Sequence, residues 1–501
     1  MVDRRASWSL PLLAAMIAGG SFALGSRAPR APSAPPPIEA REPEPLRTPS
    51  PPSGPLSWIV AGGGASPDLN QVQLEQDLAL ARETLASHGL GLTLFAGGPG
   101  SRAVQVLDAE LTMDPLRARL AGLLDPRAGR DSTYRASALA ADGPASAAAI
   151  LEAIDGAITS SSDGPLTVLL AGHGQGGETP RDSSFLTWGP GELWVEDLAA
   201  VLDEVPGHRP VRFVITSCYS GGFAELAFAA ADPEGEAEPT DRCGLFATTY
   251  DRVAAGCDPN PDRGAQEGYG IHFLHALRGE DRAGRPLALR ELDLDGDGAI
   301  SLLEAHTRAR VASGSLDVPV TTSERYLRAA APEIAALDEE GAPAEEHAMI
   351  ERLSARLGIE PGQARERLTW MEDELERLGG ELDRIEEALA EVEEDLRASL
   401  LHRWPVLDDP WHPGFDAMLR AEGPSITRFL DRSRLAARRS ALLAEQDDIA
   451  DDHDRLLVEA APLERIVRAL ETIELARRLH AEGGPRWARY RALLACERGH
   501  L

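Results

Sequence analysis

Positive charge is scarce in this chain. Against 81 aspartates and glutamates stand 50 lysines and arginines, a formal net charge of −31 over 501 residues. That balance argues against a nucleic-acid partner, because phosphate recognition needs a basic face. Cysteine is scarcer still, with only Cys218, Cys243, Cys257 and Cys496, too few for a disulfide scaffold of this length. Cys243 and Cys257 flank one predicted strand and its following loop, so in an exported protein they are a candidate pair whose geometry the spacing leaves open. Aromatic residues make up 5%, and the last third is dominated by Ala, Leu, Glu and Arg, a helix-forming composition. The apolar content of 43% suffices for a sizeable core, and the length calls for two or more folded units.

Long apolar runs are confined to the N-terminus. Asp3-Arg4-Arg5 precedes an uncharged, mostly apolar stretch over residues 8–24, closed by Ala23-Leu24-Gly25-Ser26. Residues 1–27 therefore read as an export signal, either cleaved or kept as a membrane anchor, and the protein as periplasmic, cell-surface or secreted. Residues 28–56 hold eleven prolines and read as an extended linker that cannot bury a core.

From Trp58 the pattern alternates. Strands are predicted at 58–61, 90–96, 166–171, 211–217 and 244–249, with helices at 69–87, 145–158, 195–204 and 269–277. Strands separated by helices predict an α/β fold, a largely parallel sheet sandwiched by helices over residues 57–325. In such sheets functional groups collect beyond the carboxyl ends of the strands. Over 326–501 no strand pattern remains. Leu368, Met371, Leu375, Leu378, Leu382, Ile385, Leu389, Val392 and Leu396 form a heptad seam, and Leu435, Leu442, Ile449 and Leu456 form a second. Arg439, Gln446 and His453 take the other positions of the second seam, and a connection over 404–423 separates the two. An all-α coiled-coil domain follows, first as an antiparallel hairpin and second as a self-associating dimer.

Two strand ends carry chemistry. Val168-Leu169-Leu170-Ala171-Gly172-His173-Gly174 delivers a histidine into a glycine-rich loop, and Val211 to Ser217 delivers Cys218 into Tyr219-Ser220-Gly221-Gly222. A thiolate is the attacking species, and placement near a helix N-terminus and an imidazole would favour it. The N–H groups of Gly174 and Cys218 are candidates to meet a developing oxyanion. The superficially similar Gly-x-Ser-x-Gly elbow is excluded, since its nucleophile position is Gly174.

These residues resemble the caspase-hemoglobinase fold peptidases, which include caspases, metacaspases, legumains and gingipains. Gly172-His173-Gly174 matches their strand-His-Gly motif, and Ser217-Cys218-Tyr219-Ser220-Gly221 their strand-(Ala/Ser)-Cys turn. The resemblance spans roughly residues 58–277. It implies a caspase-like sheet, a protein or peptide substrate, Cys218 as nucleophile, His173 as general acid/base, and Gly174 and Cys218 as oxyanion donors. Two residues before the nucleophile stands Thr216, where metacaspases carry Asp and legumains Glu. The caspase Gln-Ala-Cys triplet is absent as well. Neither Asp, Asn nor basic specificity carries over. Asp251 is either a pocket acid that attracts Arg or Lys, or a surface turn residue.

A twelve-residue acidic loop over 293–304 fits the EF-hand pattern. Asp293, Asp295, Asp297, the Ala299 carbonyl, Ser301 and Glu304 would supply oxygen ligands to Ca2+, with Gly298 at the sharp turn and Ile300 facing inward. Flanking helices are expected at 287–292 and 302–311, and one unpaired loop suits a stabilising role. The leading expectation is an exported cysteine endopeptidase. The alternatives are an inactive scaffold acting through its coiled coil and a calcium-dependent surface module without catalysis.

Overall fold

The computed structural model describes residues 54–501 except 128, 161, 163, 205–208, 236–240 and 334–339; the expected export signal and most of the linker lie outside the described residues. Strands are β1 (Trp58–Gly63), β2 (Gly91–Phe95), β3 (Val104–Leu107), β4 (Ser132–Arg135), β5 (Leu166–Gly172), β6 (Gly174–Gln175), β7 (Ser184–Leu186), β8 (Glu192–Trp194), β9 (Val211–Ile215), β10 (Arg242–Phe246) and β11 (Val320–Thr321). Six of them form the central sheet in the order β11-β10-β9-β5-β1-β2. All its pairings are parallel except β10–β11.

The strands are apolar on both faces, as burial on both sides requires. Ile59, Val168, Leu170, Phe213 and Ile215 pack against α3 (Ala147–Ile158) and α4 (Val195–Glu204). Their neighbours Val60, Leu169 and Val214 point the other way, onto α1 (Val72–Leu85), α5 (Tyr269–Leu277) and α6 (Leu302–Ala312). The period of two thus fills two cores at once. What sequence periodicity did not reveal are the short pieces. These are the antiparallel edge strand β11, the β3–β4 ribbon and the small β6-β7-β8 sheet, two to four residues each and too short to show a period.

The helical region is an antiparallel hairpin. α9 (Ala364–Arg403) and α11 (Arg434–Glu482) run for about 60 and 74 Å at 1.5 Å per residue. Leu378, Leu382, Leu442 and Leu456 are buried, and the polar seam residue Arg439 pairs with Glu393 of α9 at 2.6 Å. Within the expected connection over 404–423, a 3-10 turn (Pro405–Asp408) precedes α10 (Phe415–Arg432), which carries an exposed internal Pro424. Among the described residues no helix is long and apolar enough to cross a membrane.

This arm is held at both ends. At its tip, Leu396, Leu400, Ile426 and Leu430 cluster with Leu120 and Leu123 of α2 (Pro115–Leu124), and Arg117 and Arg119 pair with Asp416 and Asp431. At its base, α11 and α8 (Ala344–Leu357) pack beside α6 and α7 (Thr322–Ala330). Asp317, before the antiparallel β11, stands at the carboxyl edge of the parallel strands, and Arg465 of α11 donates to its carbonyl at 2.7 Å.

The boundary near residue 325 is not clean. α12 (Gly484–Glu497) returns to the sheet, where Cys496 forms a disulfide with Cys243 of β10. The candidate pair Cys243–Cys257 does not form, because Cys243 faces α12 while Cys257 is a half-buried free thiol near Cys218. Next to the disulfide, buried Glu497 accepts hydrogen bonds from Thr322 Oγ1 and Ser323 N at 2.6 and 2.7 Å.

The disulfide closes a separation of 253 residues, so it removes much freedom from the unfolded chain. Cys496→Ser should lower stability by about 2–4 kcal/mol and abolish the effect of dithiothreitol on the urea midpoint. A wild-type midpoint indifferent to reductant would contradict this.

Candidate active site

Strand register brings the two expected catalytic residues to one level. β5 and β9 are adjacent and parallel, with Leu170 opposite Ile215. His173 and Cys218 each lie three residues beyond that pair, at the carboxyl edge.

His173 is fixed from behind. Its Nε2 lies 2.8 Å from the Leu69 carbonyl and 2.9 Å from Gln71 Oε1. Both are acceptors, so Nε2 carries the proton and Nδ1 holds the basic lone pair. Burial lowers the imidazole below its ordinary pKa, partly offset by the Leu69 carbonyl. Asn70 holds this turn: its Oδ1 accepts from Gly64 N at 3.0 Å and its Nδ2 donates to Ala103 O at 3.1 Å. Sequence reasoning missed Leu69, Asn70 and Gln71. A backbone carbonyl leaves no side-chain signal, and the buried amides sit in no motif.

Cys218 ends a tight turn. Tyr219 has φ +56°, a left-handed conformation uncommon outside glycine and frequent at functional sites. A 3-10 helix (Ser220–Ala227) follows in place of an α-helix. The sulfur is covered: Ala254 N–H donates to Sγ at 3.3 Å, Sγ donates to Ala254 O at 3.7 Å, and Tyr219 N–H donates to Arg252 O at 2.7 Å. Burial first, and then the neighbouring Cys257, push the thiol up to about 12. In this arrangement burial favours the neutral thiol over the expected thiolate, and His173 is not among the groups that shift it.

The loops that carry the two expected oxyanion donors approach closely. Gly174 faces Phe185 of β7, and the flanking bond runs from Leu186 N–H to the His173 carbonyl at 2.9 Å. That makes Gly174–Phe185 a non-hydrogen-bonded pair, so the Gly174 N–H points away from the ladder. A Cβ on Gly174 would lie 2.2 Å from the Cys218 carbonyl oxygen. Only glycine allows the two loops to approach this closely.

The covering loop, residues 250–257, is latched to the arm. Arg252 Nη1 lies 2.6 Å from Glu464 Oε2 of α11. Ala255 N–H donates to Asp317 Oδ1 at 2.7 Å. Asp251 is exposed and accepts from Thr249 Oγ1 at 2.6 Å. Thr216 donates weakly to the Leu170 carbonyl at 3.5 Å, and its methyl faces Gly270.

In the 293–304 loop, carboxylate oxygens of Asp293, Asp295 and Asp297 lie within 4.8 Å of one another. Asp293 accepts from Gly296 and Gly298 N–H, Asp295 from Asp297 N–H, and Asp297 from Ala299 N–H. Ser301 and Glu304 are turned to the helix start instead. They form a capping box on α6, and Glu304 Oε1 accepts from Leu294 N–H at 2.5 Å. The donor set is all oxygen, the type a hard cation takes. The helix expected at 287–292 is only a 3-10 turn, Leu289–Glu291. His500 Nε2 lies 3.1 Å from Asp297 Oδ2.

Two outcomes follow from the covered thiol. Because its pKa lies near 12, alkylation of Cys218 by iodoacetamide should rise about tenfold per pH unit from pH 7 to 9 without a plateau. A plateau near pH 8 would contradict the burial argument. Glu464→Ala should free the loop and speed that alkylation roughly fivefold, the equivalent of about 1 kcal/mol in loop opening. An unchanged rate, read by peptide mapping to separate Cys218 from Cys257, would show that the latch does not hold the loop.

No family model matches the chain, and no curated protein does. Among solved structures, protein GSU0716 from Geobacter sulfurreducens overlays with a TM-score of 0.26 at 14% identity, covering 46% of this chain and 83% of that one. So loose an overlay says nothing about this site.

Proposed function

We propose that the chain is an exported cysteine endopeptidase of the caspase–legumain type, held in a latent form by the loop over its nucleophile. The observation that carries this reading is the placement of His173 and Cys218 at one level beyond the adjacent strands β5 and β9, with Gly174 against the Cys218 carbonyl. In the proposed reaction the 250–257 loop moves aside and His173 Nδ1 takes the Cys218 proton. The sulfur then attacks the peptide carbonyl carbon, and the oxyanion is met by the two N–H groups. Each such donor is worth about 3 kcal/mol of barrier. His173 returns the proton to the leaving amine, and water, activated by the same imidazole, hydrolyses the thioester. The Cys243–Cys496 disulfide supports an oxidising compartment and hence export.

Calcium is proposed at Asp293, Asp295 and Asp297 with the Ala299 carbonyl; Ser301 and Glu304 would complete the set by turning from the start of α6. When bound, the ion would supply charge neutralisation among the carboxylates rather than any step at Cys218. Binding to the native state alone should raise the melting temperature, and Asp293→Ala should remove that gain. Equal melting with calcium and with chelator would refute the site.

One observation favours the second reading, an inactive scaffold: a buried thiol near pKa 12 is also how an inert cysteine behaves. Peptide-library cleavage separates the two. Cys218→Ala and His173→Ala should each reduce cleavage by more than about a thousandfold with the fold intact. Full activity in either variant would overturn the assignment.

A further inference from the structure

In a chain with 81 carboxylates and 50 basic residues, every one an arginine, an arginine cluster without acidic partners is not imposed by composition. One such cluster lies away from Cys218, where α6 meets α8. A cavity of about 340 Å³ opens there, lined by His272, Glu280, Asp281, Arg282, Arg308 and Arg356. Most of its charges are satisfied. Glu280 lies 3.4 Å from Arg278, Asp281 pairs with Arg285 at 2.6 Å, and Arg282 pairs with Glu267.

Arg308 and Arg356 are not. Among the described residues neither makes an ion pair, and the same is true of Arg352 one turn before Arg356 on the same face of α8. Arg352 and Arg356 donate only to the backbone carbonyls of Glu291 and Val311, at 2.7 and 2.5 Å. Burial holds Arg308 and Arg356 below the ordinary arginine value. On Arg308 the charge of Glu291 offsets part of this, ahead of the opposing Arg352 and a further offset from Asp281, while Arg308 depresses Arg356 against Glu267. Two guanidiniums without ion-pair partners thus line a partly desolvated cleft.

We propose that this cavity binds a tetrahedral oxoanion of the phosphate or sulfate type, held by Arg308 of α6 and Arg356 of α8. Guanidinium forks suit such oxygens better than any other side chain. The volume admits the anion with part of an ester group attached. Because Arg308 belongs to the sheet-bearing body and Arg356 to the helical region, the anion joins the two. The site is independent of the chemistry assigned to Cys218.

The test uses the full chain, with inorganic phosphate and sulfate as probes and chloride at matched ionic strength as control. Wild type should show a saturable rise in melting temperature at millimolar phosphate or sulfate, and phosphorus NMR should show the phosphate line broadened by the protein and restored by sulfate. Arg308→Gln should weaken binding at least about tenfold, with its melting in chloride as the control for folding. Such anions also stabilise proteins by exclusion from the whole surface. An equal rise in wild type and variant, or a phosphate line that the protein leaves unbroadened, overturns the proposal. If Arg308→Gln fails to fold, broadening in the wild type that sulfate reverses and chloride does not still decides in favour of the site.

Discussion

The arrangement turns on one buried carboxylate, Asp317. Its Oδ1 accepts from Ala255 N–H and its Oδ2 from Tyr269 N–H, both at 2.7 Å, while its own carbonyl accepts from Arg465 Nε at 2.7 Å. Arg465, itself buried, also donates to the carbonyls of Arg310, Ser313 and Ser315. This node fastens four parts together: the loop over Cys218, the start of α5, the approach to the edge strand β11, and α11 of the arm. Desolvation raises the Asp317 carboxyl and lowers Arg465 to about 10. Each is tolerated because its partners leave little of its hydrogen-bonding capacity unmet.

That node explains why Cys218 rests as a buried thiol. Through Arg465, which holds Asp317, and Glu464, which pairs with Arg252, α11 ties down the 250–257 loop that covers the sulfur. Burial disfavours the charged form of both groups, raising the Cys218 thiol and lowering the His173 imidazole. On the proposed reading reactivity is governed by the loop, whose ties to Asp317 and Glu464 must give way before the sulfur is exposed.

Much of the frame was legible because it rests on patterns of side chains. α4 and α5 match the predicted spans 195–204 and 269–277, and the main parallel strands appear as predicted to within a few residues. His173 and Cys218 stood out as polar residues ending apolar runs. What was not legible depends on backbone atoms or long-range geometry. The Leu69 carbonyl that orients His173, the loop that covers Cys218 and the Cys243–Cys496 bond have no local signature. α10 was hidden by prolines at 410, 413 and 424. The first two precede the helix, and the third lies on its exposed side, where water can satisfy the freed Arg420 carbonyl.

The central claim is that Cys218 is a nucleophile served by His173 behind a movable loop. The most direct measurement is covalent trapping with a mixture of peptidyl chloromethyl ketones, read by intact mass and peptide mapping. The account predicts a single adduct on Cys218, formed faster with peptidyl than with simple alkyl reagent and strongly slowed by His173→Ala. Modification that ignores the peptide, falls equally on Cys257, or persists unchanged without His173 would contradict it.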